Sequence, residues 1–254
     1  MVLIRGLVIA FAMYSKIPMP RVEWDKQSMR FALCFLPLVG GVVGGVQAGW
    51  WFAANALGVQ PLLYASIAVA LPILITGGIH LDGLIDTSDA RASYGDPDKK
   101  RAILDDPHTG AFGVIHCAVY LLVQLGLFVQ LFVGGRLVWI LALGYPLSRS
   151  IAGVAILVMR SSKQEGLVHT FVGFSQRTIS ITTVFAFGAF CALGMVWIAP
   201  LCGTILLAGQ GLLLLWWQRM TRRQFGGVSG DLAGYLVQLS ELVTLGAVVL
   251  YSFL

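Results

Sequence analysis

Residues 77–113 read GGIHLDGLIDTSDARASYGDPDKKRAILDDPHTGAFG, and they hold seven of the 12 acidic residues of the chain. The flanking sequence is apolar over long stretches, so this concentration of charge needs a specific reason. If residues 78–93 are helical, Asp82, Asp86 and Asp89 stand at positions i, i+4 and i+7 and share about 60° of one helix face. Stacked carboxylates repel one another. A hard cation such as Mg²⁺ relieves that repulsion, because it takes oxygen ligands from one or two carboxylates and from substrate phosphates.

The composition is typical of a polytopic membrane protein. The 254 residues are 57% hydrophobic and 11% charged, with a mean hydropathy of +0.83, which is more apolar sequence than a soluble core requires. We therefore expect an all-α bundle of transmembrane helices that forms a single integral membrane domain over residues 1–254. The four cysteines have no CxxC spacing, which disfavours a disulfide framework or a zinc site.

Apolar stretches predict about seven transmembrane helices. Their predicted ranges are 31–57, 61–79, 110–133, 137–159, 178–199, 201–218 and 232–253. The apolar run at residues 7–14 is too short to cross a bilayer, and we expect it at the membrane interface or as a cap on the bundle. In the first span, Gly40 and Gly44 have GxxxG spacing, as do Gly41 and Gly45, which allows helix backbones to approach closely.

The basic residues predict the orientation of the bundle. Of the 17 lysines and arginines, 15 fall in segments 1–30, 80–109, 160–177 and 219–231, all on one side of the predicted membrane. Such a bias marks the cytoplasmic side. We therefore expect a protein of the cytoplasmic (inner) membrane with its acidic segment on the cytoplasmic face. The net charge of +5 is explained by these loops, and we expect no nucleic acid partner.

A second acidic pair, Asp105 and Asp106, precedes Pro107. A short helix over residues 98–106 would bring this pair back toward the first acidic face. Asp106 is the better candidate to complete a metal site, and the alternative is that both are ordinary loop residues. Asp96 and Asp98 fit turn and capping positions better.

Arg149 and Glu241 lie inside predicted spans, where ionisable side chains are costly and indicate function. Arg149 either binds a phosphate bidentately or forms a structural pair with Glu241. On the predicted cytoplasmic side, Glu165 precedes a glycine, and residues 226–231 read GGVSGD. A glycine-rich loop that leads into a helix can hold a phosphate, although a plain turn is the alternative. Gly77 and Gly78 would also let a ligand approach the backbone.

The run TGGIHLDGLIDTSD at residues 76–89 resembles the cobalamin-5′-phosphate synthase family, also called adenosylcobinamide-GDP ribazoletransferases. The resemblance extends over most of the chain. It includes KIPMP at 16–20, PLVG at 37–40, residues 106–113, Ser148-Arg149, Glu165-Gly166, residues 227–231 and Glu241-Leu242. One departure is Ala90-Arg91, where members of the family often have glycine.

The resemblance implies a late step of cobalamin assembly, in which adenosylcobinamide-GDP reacts with α-ribazole or its 5′-phosphate and GMP is released. It implies Mg²⁺ as cofactor, with corrinoid and nucleotide-type substrates and membrane lipid as partners; a homo-oligomer is left open. Asp82, Asp86, Asp89 and Asp106 are the expected catalytic residues and metal ligands. The expected substrate-binding residues are Gly77, Gly78, His80, Arg149, Glu165, Gly227, Asp231 and Glu241.

Two other functions are weighed against this one. A CDP-alcohol phosphotransferase of lipid synthesis also uses clustered aspartates on membrane helices, but its full spacing is absent here. An ion-coupled transporter would suit ionisable residues within spans. Against the transporter, the acidic residues cluster in a polar segment and not at mid-membrane, and no inverted repeat is visible.

Overall fold

The computed structural model describes residues 1–132, 137–162 and 167–254, without the side chains of 167–169. Within these ranges the secondary structure is helical, apart from one isolated bridge between Ser161 and Val228. The first helices are α1 (Val2–Tyr14), α2 (Lys26–Met29), a 3-10 turn (Ala32–Phe35), α3 (Leu36–Ala56), α4 (Pro61–Thr76), α5 (Ile79–Ala92) and α6 (Pro97–Leu104). They are followed by α7 (Ala111–Leu131), α8 (Val138–Val158), α9 (Leu167–Phe174), α10 (Arg177–Ile198), α11 (Pro200–Phe225) and α12 (Gly230–Tyr251).

The prediction of an all-α membrane bundle is confirmed. Six of the described helical segments are long and apolar enough to cross a membrane, and the bent pair of α4 and α5 would make a seventh span. Two predicted ranges were wrong at one end: α4 stops at Thr76 instead of 79, and α11 continues to Phe225 instead of 218. In addition, α9 lies in a segment that was expected to be a loop.

Two helices, α8 and α12, lie at the centre of the bundle. In each, 78% of the apolar window is buried inside the protein, compared with 22–28% for α7, α10 and α11. The close approach of α3 to α8 depends on Gly40 and Gly44, where a Cβ atom would come within 2.6 Å of the Tyr145 carbonyl oxygen and 2.1 Å of the Ala142 carbonyl oxygen, respectively. Side chains that project from α8 toward α12 are therefore shielded from solvent and lipid.

Two consecutive glycines redirect the chain between α4 and α5. Gly77 and Gly78 have φ angles of +67° and +79°, in the left-handed region that glycine adopts without steric cost. Gly77 ends α4 in this conformation, as glycine commonly does after a helix, and α5 then leaves at an angle of 96° to α4. The bend turns the acidic helix away from the direction of the preceding span.

The four segments that hold most of the basic residues meet at one end of the bundle. Hydrogen bonds join these segments in pairs. Gln176 N donates to Arg30 O at 3.2 Å, Ser162 N donates to Val228 O at 2.9 Å, and Arg101 Nη1 donates to Phe225 O at 2.9 Å. This arrangement agrees with the prediction that these segments share one side of the membrane.

Candidate active site

The acidic face of α5 is less buried than the opposite face of the helix. Asp82 is exposed and Asp86 and Asp89 are half-buried, whereas the opposite face is buried. That buried face packs against the start of α12, and the approach is close: a Cβ atom on Gly83 would lie 2.6 Å from the Asp231 carbonyl oxygen. Residues 78–93 were predicted to be helical with three carboxylates on one face, and α5 covers Ile79–Ala92.

Asp82 and Asp231 are brought together by this contact. The pKa of the Asp82 carboxyl is raised, first by partial burial and then by the negative charge of Asp231. The Asp231 side chain is held in place from its own loop, because Ser229 Oγ donates a hydrogen bond to Asp231 Oδ2 at 3.3 Å. The two carboxylates belong to different helices that meet near the bend, and like charges at such a place favour the binding of a cation.

The glycine-rich loop before α12 has a structural role. Val228 N donates to Arg160 O at 2.9 Å, and Ser162 N donates to Val228 O at 2.9 Å. A Cβ atom on Gly227 would come within 2.5 Å of the Arg160 carbonyl oxygen. Glycine is therefore required at 227 for backbone packing, and its contact with a substrate stays a prediction.

Asp89 connects α5 to the start of α7. Its Oδ1 accepts a hydrogen bond from Gly113 N at 3.3 Å. Gly110 lies directly against the same carboxylate, since a Cβ atom there would be 1.9 Å from Asp89 Oδ2. The chain at Gly110 therefore passes beside the acidic face, and the expected return of Asp105 and Asp106 to that face stays a prediction.

Asp106 contacts His108, a neighbour in its own turn. It accepts a hydrogen bond from His108 N at 2.9 Å and lies 2.7 Å from His108 Nδ1. The backbone hydrogen bond from His108 lowers the pKa of Asp106, and the side-chain contact adds to the effect. Asp96 caps α6 by accepting a hydrogen bond from Lys99 N at 2.9 Å, as its sequence position predicted. Asp98, in the first turn of α6, instead pairs with Arg101.

The expected metal ligands do not form a preassembled cage. Among the described residues, no group of three or more His, Cys, Asp and Glu side chains is arranged to hold a metal ion. Mg²⁺, however, is commonly bound by one or two carboxylates that are completed by substrate phosphates and water. The Asp82 and Asp231 carboxylates, with Asp86 one turn further along α5, fit that requirement.

Arg149 and Glu241 form an ion pair inside the bundle. Their side chains are 0% and 5% exposed, and Arg149 Nη1 also donates to Ser148 Oγ at 2.9 Å. The adjoining cavity, lined in part by Gln124 and Gln238, measures only about 10 Å³, which is about the space that one water molecule needs. Arg149 and Glu241 therefore form the structural pair that the sequence analysis gave as the alternative to phosphate binding. Phosphate binding by Arg149 stays a prediction, and it would require the ion pair with Glu241 to break.

His80 is buried on the face of α5 that points away from the carboxylates. Its ring stacks on Tyr14 with centroids 6.5 Å apart, so it joins α1 to α5. Among the described residues, its Nε2 atom has no hydrogen-bond partner. Its expected contact with substrate stays a prediction, as does that of Glu165, which lies outside the described residues.

Sequence reasoning did not include Lys16 in the site. A cavity of about 560 Å³ lies between the end of α1 and the bend, and its wall includes Lys16, Gly77, Gly78 and Asp82. The sequence feature that could have indicated Lys16 is its position in the KIPMP run, before two prolines, in a segment expected on the cytoplasmic side.

Comparisons with known proteins agree over nearly the whole chain. A family model described as cobalamin-5-phosphate synthase matches residues 6–249. The chain is 36% identical over 247 residues to an adenosylcobinamide-GDP ribazoletransferase of Lachnoclostridium phytofermentans, covering 97% of this chain and 94% of the relative. It is 32% identical over 246 residues to a protein of the same name from Desulfitobacterium hafniense, covering 95% of each. No solved structure matches the chain.

Proposed function

The chain belongs to the cobalamin-5-phosphate synthase family, and from this premise we propose that it joins adenosylcobinamide-GDP to α-ribazole or α-ribazole 5′-phosphate. The match to residues 6–249 carries this proposal, and it disfavours a lipid phosphotransferase or an ion-coupled transporter. The products are adenosylcobalamin, or its 5′-phosphate, and GMP.

The reaction is a phosphoryl transfer at the diphosphate of the activated corrinoid. A ribose hydroxyl of the ribazole attacks the phosphorus on the cobinamide side, a new phosphorus–oxygen bond forms, and the bond to the bridging oxygen breaks. GMP leaves with the bridging oxygen, and the hydroxyl proton passes to a base. Positioning and charge neutralisation are the main tasks of the protein in such a transfer.

We propose that the carboxylates at the bend hold Mg²⁺. Asp82 and Asp231 are the first candidates because they belong to two helices whose backbones meet at Gly83; Asp86 follows one turn along α5. A bound Mg²⁺ would neutralise charge on the diphosphate and on the leaving GMP. The binding of one cation by two carboxylates would also remove their mutual repulsion.

Among the expected catalytic residues, Asp89 and Asp106 are the candidates to accept the hydroxyl proton, and Asp89 is the better placed of the two. The pKa of Asp106 is lowered by its hydrogen bonds with His108, which makes Asp106 a weaker base. Asp89 is held beside Gly110 and Gly113 at the junction of α5 and α7, so its position is fixed relative to Asp82 and Asp86. We therefore assign proton acceptance to Asp89 and leave Asp106 to order the 105–110 turn.

We further propose that the site opens to the cytoplasm from an inner membrane. The support is that the four segments with most of the basic residues meet at the same end of the bundle as α5, and basic residues mark the cytoplasmic side. A soluble nucleotide-activated substrate would reach the acidic helix from that side.

Purified protein in detergent, supplied with adenosylcobinamide-GDP and α-ribazole, should release GMP and form adenosylcobalamin in equal amounts. Addition of excess EDTA should stop the reaction, and Mg²⁺ should restore it. Absence of GMP release with either acceptor would disprove the reaction. Turnover that is unchanged in excess EDTA would leave the reaction intact and disprove the Mg²⁺ requirement.

A further inference from the structure

One basic side chain, that of Lys16, lines the cavity at the bend and is not among the residues assigned to the proposed reaction. Lys16 follows the end of α1 and is exposed, and it shares the wall of the 560 Å³ cavity with Asp82. A volume of this size lies within the range of about 300–1,000 Å³ that is usual for small-molecule sites. The cavity is therefore large enough for a phosphorylated ligand.

The position of Lys16 is fixed by the chain around it. Its backbone N–H donates to the carbonyl oxygen of Ile75 at 2.7 Å, which fastens the residue to the last turn of α4. Its side chain crosses the surface of Gly77, where a Cβ atom would come within 2.3 Å of Lys16 Cε. Glycine is therefore required at position 77 for two reasons: its φ angle is +67°, and a larger residue would collide with the lysine side chain.

The uncharged polar side chains in this wall already have hydrogen-bond partners. Ser15 Oγ donates to the carbonyl oxygen of Phe11 at 2.7 Å, and Thr76 Oγ1 donates to that of Pro72 at 2.7 Å. Among the described residues, no carboxylate forms an ion pair with Lys16. The lysine ammonium is therefore the donor that the cavity presents to a ligand.

We propose that Lys16 binds a phosphate oxygen of the diphosphate linkage of the nucleotide-activated substrate in this cavity. A lysine ammonium is a compact charge with three donors and commonly binds phosphate. Placed beside Asp82, it brings the diphosphate next to the carboxylates of α5. The identity of the substrate rests on the proposed function, whereas the affinity for a diphosphate rests on the cavity and Lys16.

Binding of inorganic pyrophosphate to the detergent-solubilised full chain tests this role without turnover. Equilibrium dialysis at fixed ionic strength, in buffer with Mg²⁺, should show that Lys16→Met weakens binding by about tenfold or more, as expected for a lost charge-assisted hydrogen bond. Lys16→Arg keeps the charge and should recover part of the affinity. Arg21→Met removes the same charge from an exposed neighbour and should leave the affinity unchanged.

The outcomes separate this role from the reaction. Equal affinity of Lys16→Met and wild type, or no pyrophosphate binding by wild type, overturns the role of Lys16. In turnover assays, Lys16→Met should raise KM for adenosylcobinamide-GDP more than it lowers kcat. If wild type binds pyrophosphate through Lys16 but releases no GMP from that substrate, the proposed function fails and the phosphate site stands.

Discussion

Arg149 of α8 and Glu241 of α12 form an ion pair between the two central helices, with 0% and 5% of the side chains exposed. Each charge would be costly to bury alone. The Nε and Nη2 atoms of Arg149 have no hydrogen-bond partner among the described residues, so Glu241 provides the compensating charge. The pair therefore links α8 to α12 and fixes the helix whose first turn carries Asp231.

Glu241→Gln should strongly destabilise the protein. The substitution keeps the shape of the side chain and leaves Arg149 as an uncompensated buried charge, a change that typically costs about 3–5 kcal/mol. Asp98→Asn is the matched control, because Asp98 pairs with Arg101 but is 83% exposed, and such surface pairs contribute about 0–1 kcal/mol. Thermal unfolding in detergent measures both. Equal shifts for the two variants would contradict a structural role of the buried pair.

The two GxxxG registers of α3 should respond differently to alanine. A Cβ atom on Gly44 would lie 2.1 Å from the Ala142 carbonyl oxygen, whereas a Cβ atom on Gly45 would meet nothing within 4 Å. Gly44→Ala should therefore separate α3 from α8 and cost about 1–3 kcal/mol. Gly45→Ala should be neutral or slightly stabilising, because alanine favours a helix over glycine. Thermal unfolding of the two variants measures this difference, and equal stability would contradict the packing of α3 on α8.

The sequence predicted the spans well where an apolar run meets a polar loop, and less well where a helix continues past the apolar region. For α8 the predicted range of 137–159 compares with Val138–Val158. For α11, Arg222 and Arg223 lie in the last turn, and the helix ends only at Gly226 in the left-handed conformation. Hydropathy detects the apolar part of a helix, whereas its end is set by capping, so the polar extension of α11 was missed.

The part of the candidate site that lies on a single helix could be predicted from the sequence. The spacing of Asp82, Asp86 and Asp89 follows from helical periodicity alone. The approach of Asp231 to Asp82 and the position of Lys16 beside the bend depend on how α12 and α1 pack against α5, which no local pattern contains. The same limit applies to Arg149, for which the sequence left open whether its partner is a phosphate or Glu241.

Gly110→Ala should impair catalysis more than folding. A Cβ atom there would come within 1.9 Å of Asp89 Oδ2 and would push the carboxylate out of place, and a displacement of about 1 Å can cost about 100-fold in rate. Gly126→Ala, in the same span, is the control, since its Cβ would meet nothing within 4 Å. GMP release and thermal unfolding should be measured for both. Full turnover by Gly110→Ala would show that the position of Asp89 does not matter.

Asp82→Asn should remove activity without lowering stability. Partial burial and the charge of Asp231 raise the pKa of Asp82, so the folded state binds this proton more tightly than the unfolded state does. For a carboxyl with a raised pKa, folding is favoured below the ordinary value near 3.8 and becomes less favourable as pH rises through the raised value. Above the raised value the penalty is fully present, and the uncharged asparagine removes it.

Thermal unfolding at about pH 4 and pH 7, together with GMP release, checks this prediction. Asp82→Asn should melt no lower than wild type at neutral pH, and its advantage should shrink toward acid pH as wild-type Asp82 becomes protonated. Asp98→Asn serves again as the control, because Asp98 is 83% exposed and should keep turnover. A lower melting temperature for Asp82→Asn at neutral pH would mean that Asp82 has a stabilising partner, and retained GMP release would remove it from the reaction.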